Sequence, residues 1–185
     1  MEEIKDRIRK QLLLIRSSLT KEEIINASFS ISRKLKELEI VNRATSIMGY
    51  YPIRKEVDIF SFLKEVSDRK IILLPYSVKK EKKIYPILYK NDEEFDKDDF
   101  GIPVPKNKEV FKGKIDIILV PGVAFDFNFN RLGYGLGFYD KFLRENPQSF
   151  KIGIAYDFQI IKELPYSESD VKLDMIVSEK RILIR

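Results

Sequence analysis

The sequence predicts an α/β fold: a three-layer single domain with a mostly parallel sheet and helices on both faces. Three observations carry this. Short apolar runs such as KIILLPY, KIDIILVPG and SFKIGIAYD have the length and content of strands buried on both faces, as in a parallel sheet. Stretches with a helical period alternate with them, as βα units require. No internal repeat and no Ser- or Gly-rich linker interrupts the chain, so residues 1–185 read as one domain.

Taken in order, Ile4, Ile8, Leu12, Ile15 and Leu19 recur at helical spacing and predict an amphipathic helix over 3–18. Thr20 and Glu23 form a T-x-x-E capping box. It predicts a second helix with Ile24, Ala27, Ile31, Leu35 and Leu38 on its apolar stripe. The period then changes. Residues 45–52 (TSIMGYYP) read as a buried strand, and 58–66 (DIFSFLKEV) as a helix with Asp58 at its N-cap. Residues 70–76, 83–89 and 114–122 are further strands. A short helix from about Tyr139 must stop before Pro147, because proline drives its predecessor out of the helical region. Residues 149–157 read as a strand, 158–165 (FQIIKELP) as a short helix, and MIVSE with RILIR as a closing strand pair. The acidic run 91–100 (NDEEFDKDDF) reads as an exposed loop, since it lacks the spacing of an EF-hand.

What is missing narrows the chemistry. With no cysteine, disulfides, thiolate nucleophiles and Cys-ligated zinc are excluded. With no histidine, the usual general base is absent and no Ser-His-Asp triad can be built. Any catalysis must use carboxylates, Lys, Arg, Tyr, backbone amides or a hard cation such as Mg²⁺. Lys and Arg total 34 against 29 Asp and Glu, a formal charge of +5. This is read as a mixed solvated surface rather than a nucleic-acid face, because the basic residues are scattered and no recognition signature occurs. No apolar run reaches the roughly 18–20 residues needed to span a bilayer. MEEIKDRIRKQ is not patterned as a signal peptide. A cytoplasmic chain without membrane or nucleic-acid partners is the expectation.

NRLGYGLGFYDKFL (130–143) carries Gly133, Gly135 and Gly137 at alternate positions, directly before a helix. Glycine is costly to order, so three together suggest a backbone that must approach something closely. The loop follows strand 114–122, and ligands of open α/β sheets bind beyond strand carboxyl ends. Backbone amides at a helix N-terminus suit phosphate. Arg131 could add a fork to phosphate oxygens, and Asp140 could hold an accompanying Mg²⁺. A Walker A loop does not fit, because Gly137 is followed by Phe138 and Tyr139 rather than Lys and Ser or Thr. A dinucleotide site using Gly133 to Gly137, with Asp157 on the ribose, fits the spacing badly but stays open. So does a glycine-rich hairpin without a ligand.

The wider stretch IDIILVPGVAFDFNFNRLGYGLGFYDKFL resembles the signature of the 5-formyltetrahydrofolate cyclo-ligase (methenyltetrahydrofolate synthetase) family, roughly P-G-x-x-F-D-x-x-G-x-R-L-G-x-G-x-G-Y-Y-D-R. Pro121, Gly122, Phe125, Asp126, Arg131, Leu132, the three glycines, Tyr139 and Asp140 agree. Phe129, Phe138 and Lys141 stand where Gly, Tyr and Arg are usual. KDRIR, YYPIRKEVDI and IAYDFQIIKELPYSESDVKLDMIVSE resemble further family segments, the last with Ser169 in place of a usual His, and GIPVP has Val104 where Glu is frequent.

The resemblance implies ATP-dependent conversion of 5-formyltetrahydrofolate to 5,10-methenyltetrahydrofolate, with release of ADP and phosphate. It implies that Lys5, Arg9 and the run Arg131, Leu132, Gly133, Tyr134, Gly135, Leu136, Gly137, Phe138 and Tyr139 bind ATP. Tyr51, Glu56 and residues Tyr134 to Phe138 would border the folate. Arg131 and Tyr139 would be catalytic, and Asp140 and Asp174 would ligate Mg²⁺. The i, i+4 spacing of Lys5 and Arg9 independently puts both cations on one helix face. A nicotinamide-dependent oxidoreductase and a basic nucleic-acid-binding module are the alternatives.

Overall fold

The computed structural model describes residues 1–167 and 170–185. It opens with α1 (Glu2–Ser17) and α2 (Lys21–Glu37), separated by the capping residue Thr20. Both capping-box bonds form: Glu23 N–H donates to Thr20 Oγ1 at 3.1 Å and Thr20 N–H to Glu23 Oε2 at 2.7 Å. A cap of this kind contributes about 1 kcal/mol. There follow α3 (Glu39–Arg43), β1 (Ser46–Met48), α4 (Phe60–Val66), β2 (Ile71–Val78), β3 (Lys83–Tyr89), β4 (Phe95–Lys97), β5 (Pro103–Pro105) and β6 (Ile117–Val120). After these come β7 (Ala124–Asp126), β8 (Arg131–Leu132), α5 (Phe138–Glu145), β9 (Phe150–Ile154), a 3₁₀ turn (Asp157–Gln159), β10 (Ile160–Ile161), β11 (Met175–Val177) and β12 (Ile182–Ile184).

Among the described residues the main sheet runs β12-β11-β9-β6-β1-β2-β3, parallel except for the two edge strands. Its strands are apolar on both faces, and the two-residue period sorts them. Ile47, Ile72, Leu74, Ile117 and Leu119 point to one side, where Ile31 and Leu35 of α2 and Phe62 and Leu63 of α4 cover them. Met48, Leu73, Ile118 and Val120 point to the other, against Phe125 and against Phe142 and Leu143 of α5. This is the expected three-layer arrangement. A small sheet, β10-β7-β8, and the hairpin β4-β5 are appended to it. No helix among the described residues is long and apolar enough to cross a membrane.

Three expectations need correction. FQIIKELP is not a helix. Ile160 and Ile161 pair in parallel with Phe125 and Asp126, and the Gln159 amide is spent on the carbonyls of Gly122 and Val123 at 2.9 Å each. Edge pairing and those buried bonds override the local pattern. The acidic run 91–100 is not wholly a loop, since β4 lies within it and pairs with β5. Asp58 is not the N-cap of α4. Ile59 is, and Asp58 caps from one residue further out by accepting the Phe60 N–H at 2.9 Å.

Candidate active site

The carboxyl ends of β1 and β6 open into a cleft of about 420 Å³. Tyr50, Tyr51 and Glu56, after β1, line one side. Pro121 and the loop from Arg131 to Asp140 line another. The turn between β4 and β5 adds Asp98 and Phe100, and α1 adds Lys5 and Arg9.

The helix α1 meets the cleft through cations. Lys5, Arg9, Leu12 and Arg16 are spaced by four, three and four residues and so share one face, which is the buried one. Ile4 and Ile15, expected on an apolar stripe, are each 46% exposed. Arg9 Nε donates to the Gly133 carbonyl at 2.9 Å, tying the helix to the glycine loop. Lys5 Nζ lies 3.7 Å from Asp170.

Gly135 and Gly137 have φ of +93° and +72°, in the left-handed region that glycine adopts without penalty. Gly137 is the N-cap of α5. A Cβ on Gly135 would sit 3.4 Å from the Arg9 guanidinium, so that cation lies close beside the loop. Arg131 reaches under the loop. Its Nη1 donates to the Pro121 carbonyl at 3.3 Å and its Nη2 to Asp140 Oδ1 at 3.2 Å, while its buried Nε has no partner. Buried donors are almost always paired, and a guanidinium with a spare donor beside a glycine loop suits an anionic oxygen. Leu132 is buried with Leu12 and Val123, whereas Leu136 is 60% exposed at the loop tip. Phe138 meets Phe100 edge-on, with ring centroids 5.3 Å apart.

Glu56 is 6% exposed. Its Oε2 accepts the Ile53 N–H at 3.0 Å and its Oε1 the Tyr134 hydroxyl at 2.8 Å. Burial raises its pKa above the usual carboxylate range, while the Ile53 amide, the Arg16 charge and the Tyr134 bond pull it back. Burial, then the Glu56 charge, pushes Tyr134 up to about 12 and raises Tyr139 further, so both phenols stay protonated donors at neutral pH. Tyr51 packs in an aromatic group with Phe60 and Phe95 at 5.1 and 5.8 Å.

The structure therefore brings together every expected site residue except Asp174. That residue precedes β11, at the amino end of the parallel strands. It accepts the Lys151 N–H at 2.9 Å and pairs with Arg185 at 2.9 Å. Asp140, by contrast, lines the cleft. The two carboxylates thus lie at opposite ends of the sheet and do not face one ion. No group of three or more acidic side chains placed to hold a metal ion occurs among the described residues. Mg²⁺ commonly takes one or two carboxylates plus phosphate oxygens, so Asp140 alone fits that role. Asp157, the acid of the dinucleotide alternative, is held by Arg181 at 2.7 Å and by Ser178 at 2.9 Å.

The departures also find places. Phe129 has φ of +63°, which explains why glycine suits that position. Val104 is fully buried in β5 and is absent from the cleft lining. Lys141 lies in α5, its N–H bonded to the Gly137 carbonyl at 3.2 Å. Ser169 lies outside the described residues.

Two residues of interest were not anticipated: Asp98 in the cleft lining, and Arg16, which bonds the cleft residue Tyr134. Arg16 had a signal in its place four residues after the buried Leu12. Asp98 had one in D-D-F-G, an Asp at the first and a Gly at the fourth position of a turn. Its Oδ1 accepts the N–H groups of Phe100 at 2.8 Å and Ile102 at 2.9 Å, and its Oδ2 is buried without a partner.

A family model described as the 5-formyltetrahydrofolate cyclo-ligase family matches residues 1–179. The 5-formyltetrahydrofolate cyclo-ligase of Haemophilus influenzae is 30% identical over 181 residues, covering 94% of this chain and 97% of that one. The 5,10-methenyltetrahydrofolate synthetase of Aquifex aeolicus superposes with a TM-score of 0.87 at 32% identity, over 98% of this chain and 92% of that one. The corresponding synthetase of Mycoplasma pneumoniae gives 0.71 at 30% identity, over 95% and 98%. On these matches, carried by the whole chain and not by the glycine loop alone, the protein belongs to the 5-formyltetrahydrofolate cyclo-ligase family.

Proposed function

We propose that this chain uses ATP to convert 5-formyltetrahydrofolate to 5,10-methenyltetrahydrofolate in the cleft described above. The observation that carries this reading is Arg131, with its unpartnered Nε, paired to Asp140 beneath a glycine loop. The chemistry needs no protein nucleophile. The formyl oxygen takes the γ-phosphoryl group and ADP leaves. The folate N10 then attacks the activated carbon, phosphate departs with the former formyl oxygen, and N10 loses its proton.

The protein's part is positioning and charge stabilisation. Lys5 and Arg9 bind ATP from α1. The backbone of Arg131 to Tyr139 wraps its phosphates, and Arg131 balances charge on the transferring group. Tyr139, held protonated, donates a hydrogen bond at the same place. Tyr51 lies against the folate ring, Glu56 accepts from its N–H groups, and Tyr134 to Phe138 border both substrates. Asp140 would hold Mg²⁺, which would neutralise phosphate charge. The chain works as a single-domain cytoplasmic monomer in this reading.

Incubating the purified chain with both substrates and Mg²⁺, while following methenyl absorbance and ADP together, tests it. Equal amounts of the two products are expected. Salt-sensitive RNA retention without ATP turnover, or tight NADH binding without folate-stimulated ADP release, would overturn the reading in favour of an alternative.

A further inference from the structure

Arg16 is 1% exposed and carries a charge it cannot shed. Burying such a charge is costly unless it is paired. Among the described residues no carboxylate pairs with it directly. Its Nε donates to the Arg54 carbonyl at 3.0 Å, its Nη1 to the Gly122 carbonyl at 3.4 Å and its Nη2 to the Tyr134 hydroxyl at 2.5 Å. The complementary negative charge is one step further on, because the same hydroxyl lies 2.8 Å from Glu56 Oε1. A guanidinium only donates and a phenol has one proton, so the direction of this chain is fixed. Arg16 gives to Tyr134, and Tyr134 gives to Glu56.

The same arginine braces the turn that presents Glu56. Arg54 and Lys55 both have left-handed backbone, with φ of 47° and 59°, an unusual state for residues with side chains. The Arg54 carbonyl is held by Arg16, and the Lys55 carbonyl by the Tyr156 hydroxyl at 2.9 Å. Lys55 Nζ in turn bonds the carbonyls of Ser17 at 2.6 Å and Leu19 at 2.7 Å, at the end of α1.

We propose that Arg16 is the positioning residue for Glu56: acting through Tyr134, it holds that carboxylate fixed and ionised as the acceptor for the N–H donors of the folate ring. This rests on the reading of Glu56 as a folate-site residue given above. The groups that feel the Glu56 charge are Arg16 from α1, Arg54 from its own turn, Tyr50 after β1, Tyr134 and Tyr139 from the glycine loop and α5, and Tyr156 after β9. Burial raises all four phenols, so within this set the Glu56 carboxyl is the group that takes up a proton as the pH is lowered.

The test is the dissociation constant for 5-formyltetrahydrofolate without ATP, measured from neutral pH downward. In the wild type, affinity falls once Glu56 takes up a proton. In Arg16→Gln that fall should begin at higher pH, with neutral-pH affinity weaker by on the order of tenfold or more, the scale of a hydrogen bond to a charged group. Arg16→Lys should restore part of the shift. Tyr134→Phe breaks the chain without unpairing a whole guanidinium, so it should move the fall the same way and decides the matter if Arg16→Gln does not fold. If Glu56→Gln loses affinity while folded Arg16→Gln or Tyr134→Phe keeps the wild-type pH dependence, the link through Tyr134 is overturned. If Glu56→Gln binds like the wild type, the underlying folate reading fails instead.

Discussion

Arg131 Nη2 and Asp140 Oδ1 lie 3.2 Å apart, so the residue proposed to meet phosphate and the one proposed to meet its cation hold each other beneath the glycine loop. The Arg131 side chain is only 4% exposed, and the contact is little screened by water. Asp140→Asn keeps the shape but removes the charge that a hard cation needs. Its activity should be nearly lost at ordinary Mg²⁺ and partly recovered at high Mg²⁺. Titrating turnover against Mg²⁺ checks this, and an unchanged Mg²⁺ dependence would remove Asp140 from the site.

Asp174→Asn should behave differently. It loses a half-exposed pair with Arg185 and weakens a backbone bond to Lys151, a change of about 1–2 kcal/mol in stability. Thermal melting should register that, while the Mg²⁺ dependence of turnover stays as in the wild type. A shifted Mg²⁺ dependence would restore Asp174 as a ligand.

Gly135→Ala and Gly137→Ala both place a side chain at positive φ, which costs roughly 1–2 kcal/mol. A domain with ~5–15 kcal/mol of stability survives that. A Cβ at Gly137 meets nothing within 4 Å, whereas one at Gly135 comes into van der Waals contact with the Arg9 guanidinium at 3.4 Å. Both variants should fold and turn over slowly, with losses near a hundredfold for about 1 Å of misplacement. Gly135→Ala should also weaken ATP binding. Wild-type turnover in both would mean that the loop does not cradle phosphate.

Phe129 should reverse the usual order of glycine and alanine. At φ of +63°, Phe129→Ala loses the ring and keeps the strain, while Phe129→Gly loses the ring and relieves it. Melting temperatures should therefore rank Phe129→Gly above Phe129→Ala. The opposite ranking would argue against the left-handed turn.

Stability should carry the mark of Glu56. Because burial raises its pKa, the folded chain holds a proton there that the unfolded chain has released. The stability contributed by the protonated form is present below the unfolded carboxylate pKa and is lost as pH rises through the folded value. Wild type should thus lose stability relative to Glu56→Gln across that window and run parallel to it above. Parallel melting curves throughout would show that Glu56 titrates normally.

Much of this was legible in the sequence, for identifiable reasons. The capping box at Thr20 and Glu23 fixes a helix start by two local bonds, and strands such as KIYPILY need only their two-residue period. FQIIKELP was not legible, because its conformation is decided by the free edge of β7 and by Gln159 binding distant carbonyls. Asp174 could have been rejected: it precedes its strand, and the rule that places ligands at carboxyl ends excludes amino-end residues. Arg16 was hidden by treating a charge on a helix as solvated, although its spacing from Leu12 put it on the buried face.

The most direct measurement follows the formyl oxygen itself. Phosphorylation at that oxygen, followed by ring closure at N10, sends it into the released phosphate. With 5-formyltetrahydrofolate carrying oxygen-18 in the formyl group, the account predicts labelled inorganic phosphate in an amount equal to the methenyl product. Methenyl product accompanied by unlabelled phosphate would contradict it.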